Sequence, residues 1–137
     1  MEVNRPDVHA ELEATFLQYE RALTENIVDD LTRLFWDSEM TLRYGANEML
    51  YGAKAIHAFR AARPSGPRPR ELLRYVVSTF GSDYGVANAE FRAPGDPRLG
   101  RQSQTWVRME QGWRIVAAHV SFLDSDDFNA AATLVPK

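Results

Sequence analysis

The 137-residue sequence predicts an α+β domain in which one curved antiparallel sheet wraps three helices. Three observations carry that expectation. Helical periodicity fills the first part of the chain, strand-like alternation fills the second half, and turn-forming residues separate the later strands. Length and a 45% apolar content suit a single domain over residues 1–137, with a C-terminal tail from about residue 125.

In residues 7–25, Leu12, Phe16, Tyr19 and Leu23 recur at the spacing of a buried helical stripe, and Asp7 after Pro6 is the expected cap. A shorter helix should follow Asn26, which forms a capping-box pattern with Asp29, while Ile27, Leu31, Leu34 and Phe35 make its apolar side. The two helices should form a hairpin. "MTLRY" and "EMLYG" then have strand character, punctuated by Gly45 and Gly52. Residues 53–63 are Ala-rich and read as helix until Pro64 stops it. "RPSGPRPR", residues 63–70, must be a loop. Four strand-like runs follow at 72–80, 84–92, 101–109 and 113–122, separated by "GSD", "APGDPRLG" and "EQG" as hairpin turns. The closing "NAAATLVPK" reads as a frayed tail or a partner contact.

Composition removes several function classes. A net charge of -3 with a pI near 5.6 offers no basic stripe for nucleic acid. No window approaches the roughly 18 uninterrupted apolar residues of a membrane span, and "MEVNRPDVHAELEA" lacks the basic start and apolar core of a signal peptide. A soluble cytoplasmic protein is expected. Without cysteine there is no thiol nucleophile or thiolate site, and His9, His57 and His119 lack metal-binding spacing. GxGxxG, P-loop and GxSxG motifs are also missing. No metal site is expected.

The residues left to carry chemistry are arginines and a tyrosine. Tyr19 lies on the buried stripe of the first helix, as a core residue bonded to a carbonyl or as a proton donor in a pocket. Arg43 shares a strand face with Thr41, opposite Leu42 and Tyr44. It is exposed, paired with Glu48 or another carboxylate, or reserved for an anionic substrate. Arg60 and Arg63 follow Ile56 on one side of the third helix, either as surface charges near its C-terminus or as a polyanion-binding cluster with Arg43. Gln102, Gln104 and Trp106 share one face of their strand. Strict alternation places His119 with Trp113, Ile115, Ala117 and Ser121, facing a pocket or a dimer interface unless it is simply structural.

Helix, helix, short hairpin, helix and a four-strand meander resemble the cone of the nuclear transport factor 2-like and SnoaL-like superfamily, which is also called cystatin-like. That fold alone implies little about activity. More specific are "FLQYERAL", "LFWDSEMTLRYGANEMLYG", "IHAFRAARP" and "GRQSQTWVRMEQGWRIVAAHVSF". Together these strings resemble the small subfamily that contains AtzH of cyanuric acid catabolism and HpxZ of oxalurate catabolism, over residues 7–124.

The resemblance implies metabolism of small carboxylated ureas beside pathway amidases. Its AtzH-type activity is the metal-independent, cofactor-free decarboxylation of 1,3-dicarboxyurea to allophanate and carbon dioxide. The family's tyrosine and arginine carry over to Tyr19 and Arg43 as catalytic residues, and Arg60, Arg63, Gln104, Trp106 and His119 complete the expected site as substrate-binding groups. The small dianionic urea is thus the expected partner, with a homodimer through the sheet face and a pathway amidase as protein partners. A competing expectation is an accessory protein of an oxalurate or ureido-acid amidase pathway, without catalysis of its own. A lipophilic-ligand or polyketide-processing protein of the SnoaL-like kind fits the fold but fits the arginine-rich third helix less well.

Overall fold

Pro6 opens α1 (Pro6–Glu25), where its missing N–H costs nothing. Arg5, not Asp7, is the N-cap residue, and it makes no side-chain cap bond. Asp7 instead accepts from Arg5 Nε at 2.7 Å. At the other end Asn26 adopts the left-handed conformation, with φ 56° and ψ 50°, and closes the helix. Its side-chain amide donates to the Pro64 carbonyl at 3.2 Å. The expected capping box is therefore replaced by a C-cap, and α2 (Val28–Arg33) starts after Ile27 without a side-chain cap. The computed structural model describes residues 1–124, and the expected tail from about residue 125 lies outside them.

β1 (Leu42–Tyr44) and β2 (Met49–Tyr51) form the short hairpin, and α3 (Ala53–Ala62) follows directly. The meander comprises β3 (Glu71–Phe80), β4 (Tyr84–Arg92), β5 (Leu99–Met109) and β6 (Gly112–Leu123). All six strands make one sheet in the order β2-β1-β6-β5-β4-β3. Its pairs are antiparallel except β1 with β6, which run parallel. A hairpin turn would force antiparallel pairing. β1 reaches β6 only through the intervening helix and strands, so the parallel direction is open to it.

Two register shifts bend the sheet, one at Leu72/Arg74 and one on the β5–β6 pair. In the second, Thr105 faces Ala117 while Trp106 faces Ile115, which leaves Val116 as the extra residue. Alternation on β6 is reset there. Trp113 and Ile115 face inward with Ala118, Val120 and Phe122, so the face expected for His119 is reversed from Ala117 onward.

The inward faces close on α1. Val8, Leu12, Phe16, Tyr19 and Ala22 are buried against Val77, Ala87, Ala89, Trp106 and Ile115. Tyr19 meets Phe35 and Trp106 edge-on, with ring centroids 6.0 and 6.3 Å away. α3 buries Ile56 and Arg60. Among the described residues no helix is long and apolar enough to cross a membrane.

Candidate active site

The wide end of the cone holds a cavity of about 560 Å³ between α3, the β1–β2 hairpin, the 63–70 loop and the inner sheet face. Arg43, Arg60, Arg63, Arg68 and Arg70 line it, and Glu48 is the one carboxylate among its lining residues. Phe59, Phe91, Val120 and Phe122 supply apolar walls. A larger hollow of about 680 Å³ lies between α2, the start of α3 and the β5–β6 turn. Its Arg114 already donates to the Trp113 carbonyl and its His57 pairs with Thr32, so the arginine-rich cavity is the stronger chemical candidate.

Arg60 is the deepest of these cations, 2% exposed although it belongs to the last turn of α3. The surface reading of its helical position is thus reversed, because the Ile56 side of the helix faces the core. Its Nη2 donates to the Tyr19 hydroxyl at 2.9 Å, and its buried Nε has no acceptor among the described residues. Burial holds its pKa below that of an ordinary arginine, Tyr19 opposes that shift, and the nearby Arg43 and Arg70 charges add to it. A buried cation that donates to a neutral oxygen, with Glu48 acting on it only through its field, is poised to take an anion.

Arg43 faces inward from β1, between Leu50 of β2 and Ala118 of β6 in the sheet register. Its Nη1 donates to Glu48 Oε1 at 2.8 Å. Phe59 stands between this cation and the next, since the guanidinium carbons of Arg43 and Arg63 each lie 5.7 Å from its ring centroid. Arg63 is partly exposed, and desolvation followed by the charges of Arg68, Arg60 and Arg43 lowers its pKa to about 10. Arg68 is tied by its backbone N–H to the Thr24 carbonyl at 2.7 Å, while its buried Nε also finds no acceptor among the described residues.

Arg70 is saturated by comparison. It grips Glu20 through two bonds of 2.7 and 2.6 Å, donates to Gln102 Oε1 at 3.1 Å, and lies 3.9 Å over the Phe91 ring. Because the Gln102 oxygen is taken, its buried Nε2 is fixed as a donor, and it too lacks an acceptor. Three orphaned donors, on Arg60, Arg68 and Gln102, therefore belong to residues lining one cavity.

The other expected residues are distributed differently. Arg43, Arg60 and Arg63 meet at the cavity, but Tyr19 sits one layer behind it, against Arg60. Gln104 and Trp106 face inward yet are buried below the cavity, joined by a 3.0 Å bond from Trp106 Nε1 to Gln104 Oε1. His119 lies on the opposite sheet face, edge-on to Tyr44 at 5.5 Å, and is separated from the arginines by the sheet. Arg68, Arg70 and Gln102 were not anticipated. The two prolines flanking Arg68 and the shared face of Gln102 and Gln104 were the available signals.

A family model described as AtzH-like matches residues 1–126. The chain belongs to the AtzH-like family. Two solved structures are similar to this AtzH-like protein over almost their whole length. A protein of unknown function from Pectobacterium atrosepticum is 53% identical, with a TM-score of 0.86 over 89% of this chain and 95% of that one. A cystatin-like fold protein from Burkholderia xenovorans is 47% identical, with a TM-score of 0.86 over 90% and 98%. An NTF2-like protein from Pseudomonas putida, 19% identical with a TM-score of 0.73 over 84% and 86%, shares the fold. No curated protein matches the chain.

Proposed function

We propose that this AtzH-like protein is a metal-independent decarboxylase of a small carboxylated urea, with 1,3-dicarboxyurea giving allophanate and carbon dioxide. The supporting observation is the convergence of Arg43, Arg60, Arg63 and Arg68 on one cavity, where Glu48 is the single carboxylate among the lining residues. One carboxylate of the substrate is held at Arg43 and Arg60. In the reaction the bond between nitrogen and the departing carboxylate carbon breaks. Its electron pair stays on nitrogen, a proton arrives there, and carbon dioxide leaves uncharged.

Tyr19 is the proposed proton source. The Arg60 guanidinium donates to its oxygen, which leaves the hydroxyl proton directed elsewhere for donation. Since Tyr19 stands behind Arg60, the proton crosses to the substrate through a water. The test is carbon dioxide release from freshly generated dicarboxyurea, with oxaluric acid derivatives and other ureido acids run in parallel. Release well above the spontaneous rate for one of them is expected, and rates equal to the uncatalysed ones for all of them end the enzyme reading.

A second reading is an accessory protein of a ureido-acid amidase, in a cytoplasmic pathway. It is favoured by the outer sheet face, where Val76 of β3 and Tyr84 of β4 are each 45% exposed. The same face would serve a homodimer. Co-purification with the amidase, without carbon dioxide release by the isolated protein, separates this reading from the first.

A further inference from the structure

We infer that Glu48 is a built-in competitor for the carboxylate site: it occupies Arg43 when the cavity is empty and must be displaced by a ligand carboxylate. This rests on the reading of the cavity as a receptor for small carboxylates. Two independent features of the β1–β2 turn place it there. Glu48 Oε1 accepts from Arg43 Nη1 at 2.8 Å, with the Glu48 side chain 24% exposed at the mouth. Gly45 makes room for it: a Cβ at that position would collide with Glu48 Oε1 and Cδ and stand 3.0 Å from Arg43 Nη1. Gly45 has an ordinary negative φ, so its backbone does not require glycine. What the missing Cβ provides is the space in which the carboxylate lies on Arg43.

The turn is held independently of that ion pair. Gly45 N donates to the Glu48 carbonyl at 2.9 Å, and Arg43 is positioned by pairing with both β2 and β6. Glu48 can therefore swing outward while Arg43 stays in place. The consequence is a threshold. A simple monocarboxylate at Arg43 recovers only what Glu48 already supplied, and its binding is weak. A dianion that also reaches the acceptor-poor Arg60 and Arg68 gains contacts Glu48 never makes. Abundant monoanions are thus kept out of the cavity without a steric barrier.

Calorimetric titration with malonate tests this in the wild type, Glu48→Gln, Glu48→Asp and the Arg43→Gln/Glu48→Gln double variant. Glu48→Gln should tighten malonate by about tenfold or more, the worth of one charge-assisted bond. Glu48→Asp should tighten it as well, because the shorter side chain withdraws the carboxylate from Arg43 while the charge is retained at the turn. The gain should vanish once Arg43 is removed. Tightening in Glu48→Gln with none in Glu48→Asp would reduce the effect to a general field and overturn the inference. The inference also falls, with the cavity reading intact, if wild-type malonate binding needs Arg43 but neither variant tightens it. Absence of malonate binding in every variant, with no carbon dioxide release, would overturn the cavity reading itself. Should Glu48→Gln fail to fold, Glu48→Asp decides alone.

Discussion

Arg60 donates to the Tyr19 hydroxyl at 2.9 Å inside the protein, joining α3 to α1 across 41 positions of sequence. The bond links the family's expected tyrosine to a cation whose other buried nitrogen, Nε, has no protein acceptor. Such a group is expensive to bury, and its retention is more easily understood through binding than through stability.

Replacing Arg60 by methionine should separate those two quantities. The variant keeps a long apolar stem beside Tyr19 and removes a desolvated charge. Its urea midpoint should correspond to a protein that is unchanged or up to about 2 kcal/mol more stable. Malonate binding and carbon dioxide release should both be lost. A loss of more than about 2 kcal/mol would instead make Arg60 a structural member of the core.

Tyr19→Phe should have the complementary profile. The ring contacts with Phe35 and Trp106 survive, while Arg60 Nη2 loses its acceptor at a cost of about 1 to 3 kcal/mol. If the hydroxyl supplies the proton, kcat falls by about a hundredfold or more while KM stays near the wild-type value. A KM increase with kcat unchanged would assign Tyr19 to binding alone.

Much of this architecture was legible in the sequence. The stripe from Leu12 to Leu23 and the four meander strands appear where their periodicities place them, because long amphipathic patterns survive tertiary packing. Asn26 was harder, since the same residue serves as an N-cap or as a left-handed C-cap and only the path to Pro64 decides. His119 was misplaced by one inserted residue, Val116, which carries no local signal yet reverses every later side chain on β6. Arg60 was left open between a surface charge and an anion-binding cluster, because a charged residue in the last turn of a helix is ordinarily solvated and nothing local announces a cavity beneath it.

The 93–98 loop offers a test by pH. The Arg98 side-chain bonds lower the Asp96 pKa from 3.8 to about 2, with the Arg98 backbone N–H adding to the effect. A carboxyl depressed on folding stabilises the protein above its unfolded pKa and loses that contribution as pH falls through the folded one. Asp96→Asn should therefore lower the urea midpoint slightly at pH 7, and the difference should shrink from about pH 4 downward and vanish below about pH 2. A gap that does not shrink between about pH 4 and 2 would mean the ion pair is not its source.

The cavity's far wall depends on Glu20 and Arg70, whose side chains are 10% and 9% exposed and meet through two short bonds. Truncating one member leaves the other charged, buried and unpaired, which costs far more than the pair is worth. Glu20→Ala should lose about 3 to 5 kcal/mol in urea unfolding. It should also loosen malonate binding, since Arg70 fixes the Gln102 amide and borders the loop that carries Arg68. Adding Arg70→Met to Glu20→Ala should restore most of the stability, because the stranded cation is gone. It should not restore binding, because Arg70 no longer holds the Gln102 side chain at the cavity wall. Recovery of both together would show that the pair serves only the wall's packing, whereas recovery of stability alone assigns it to orienting the site.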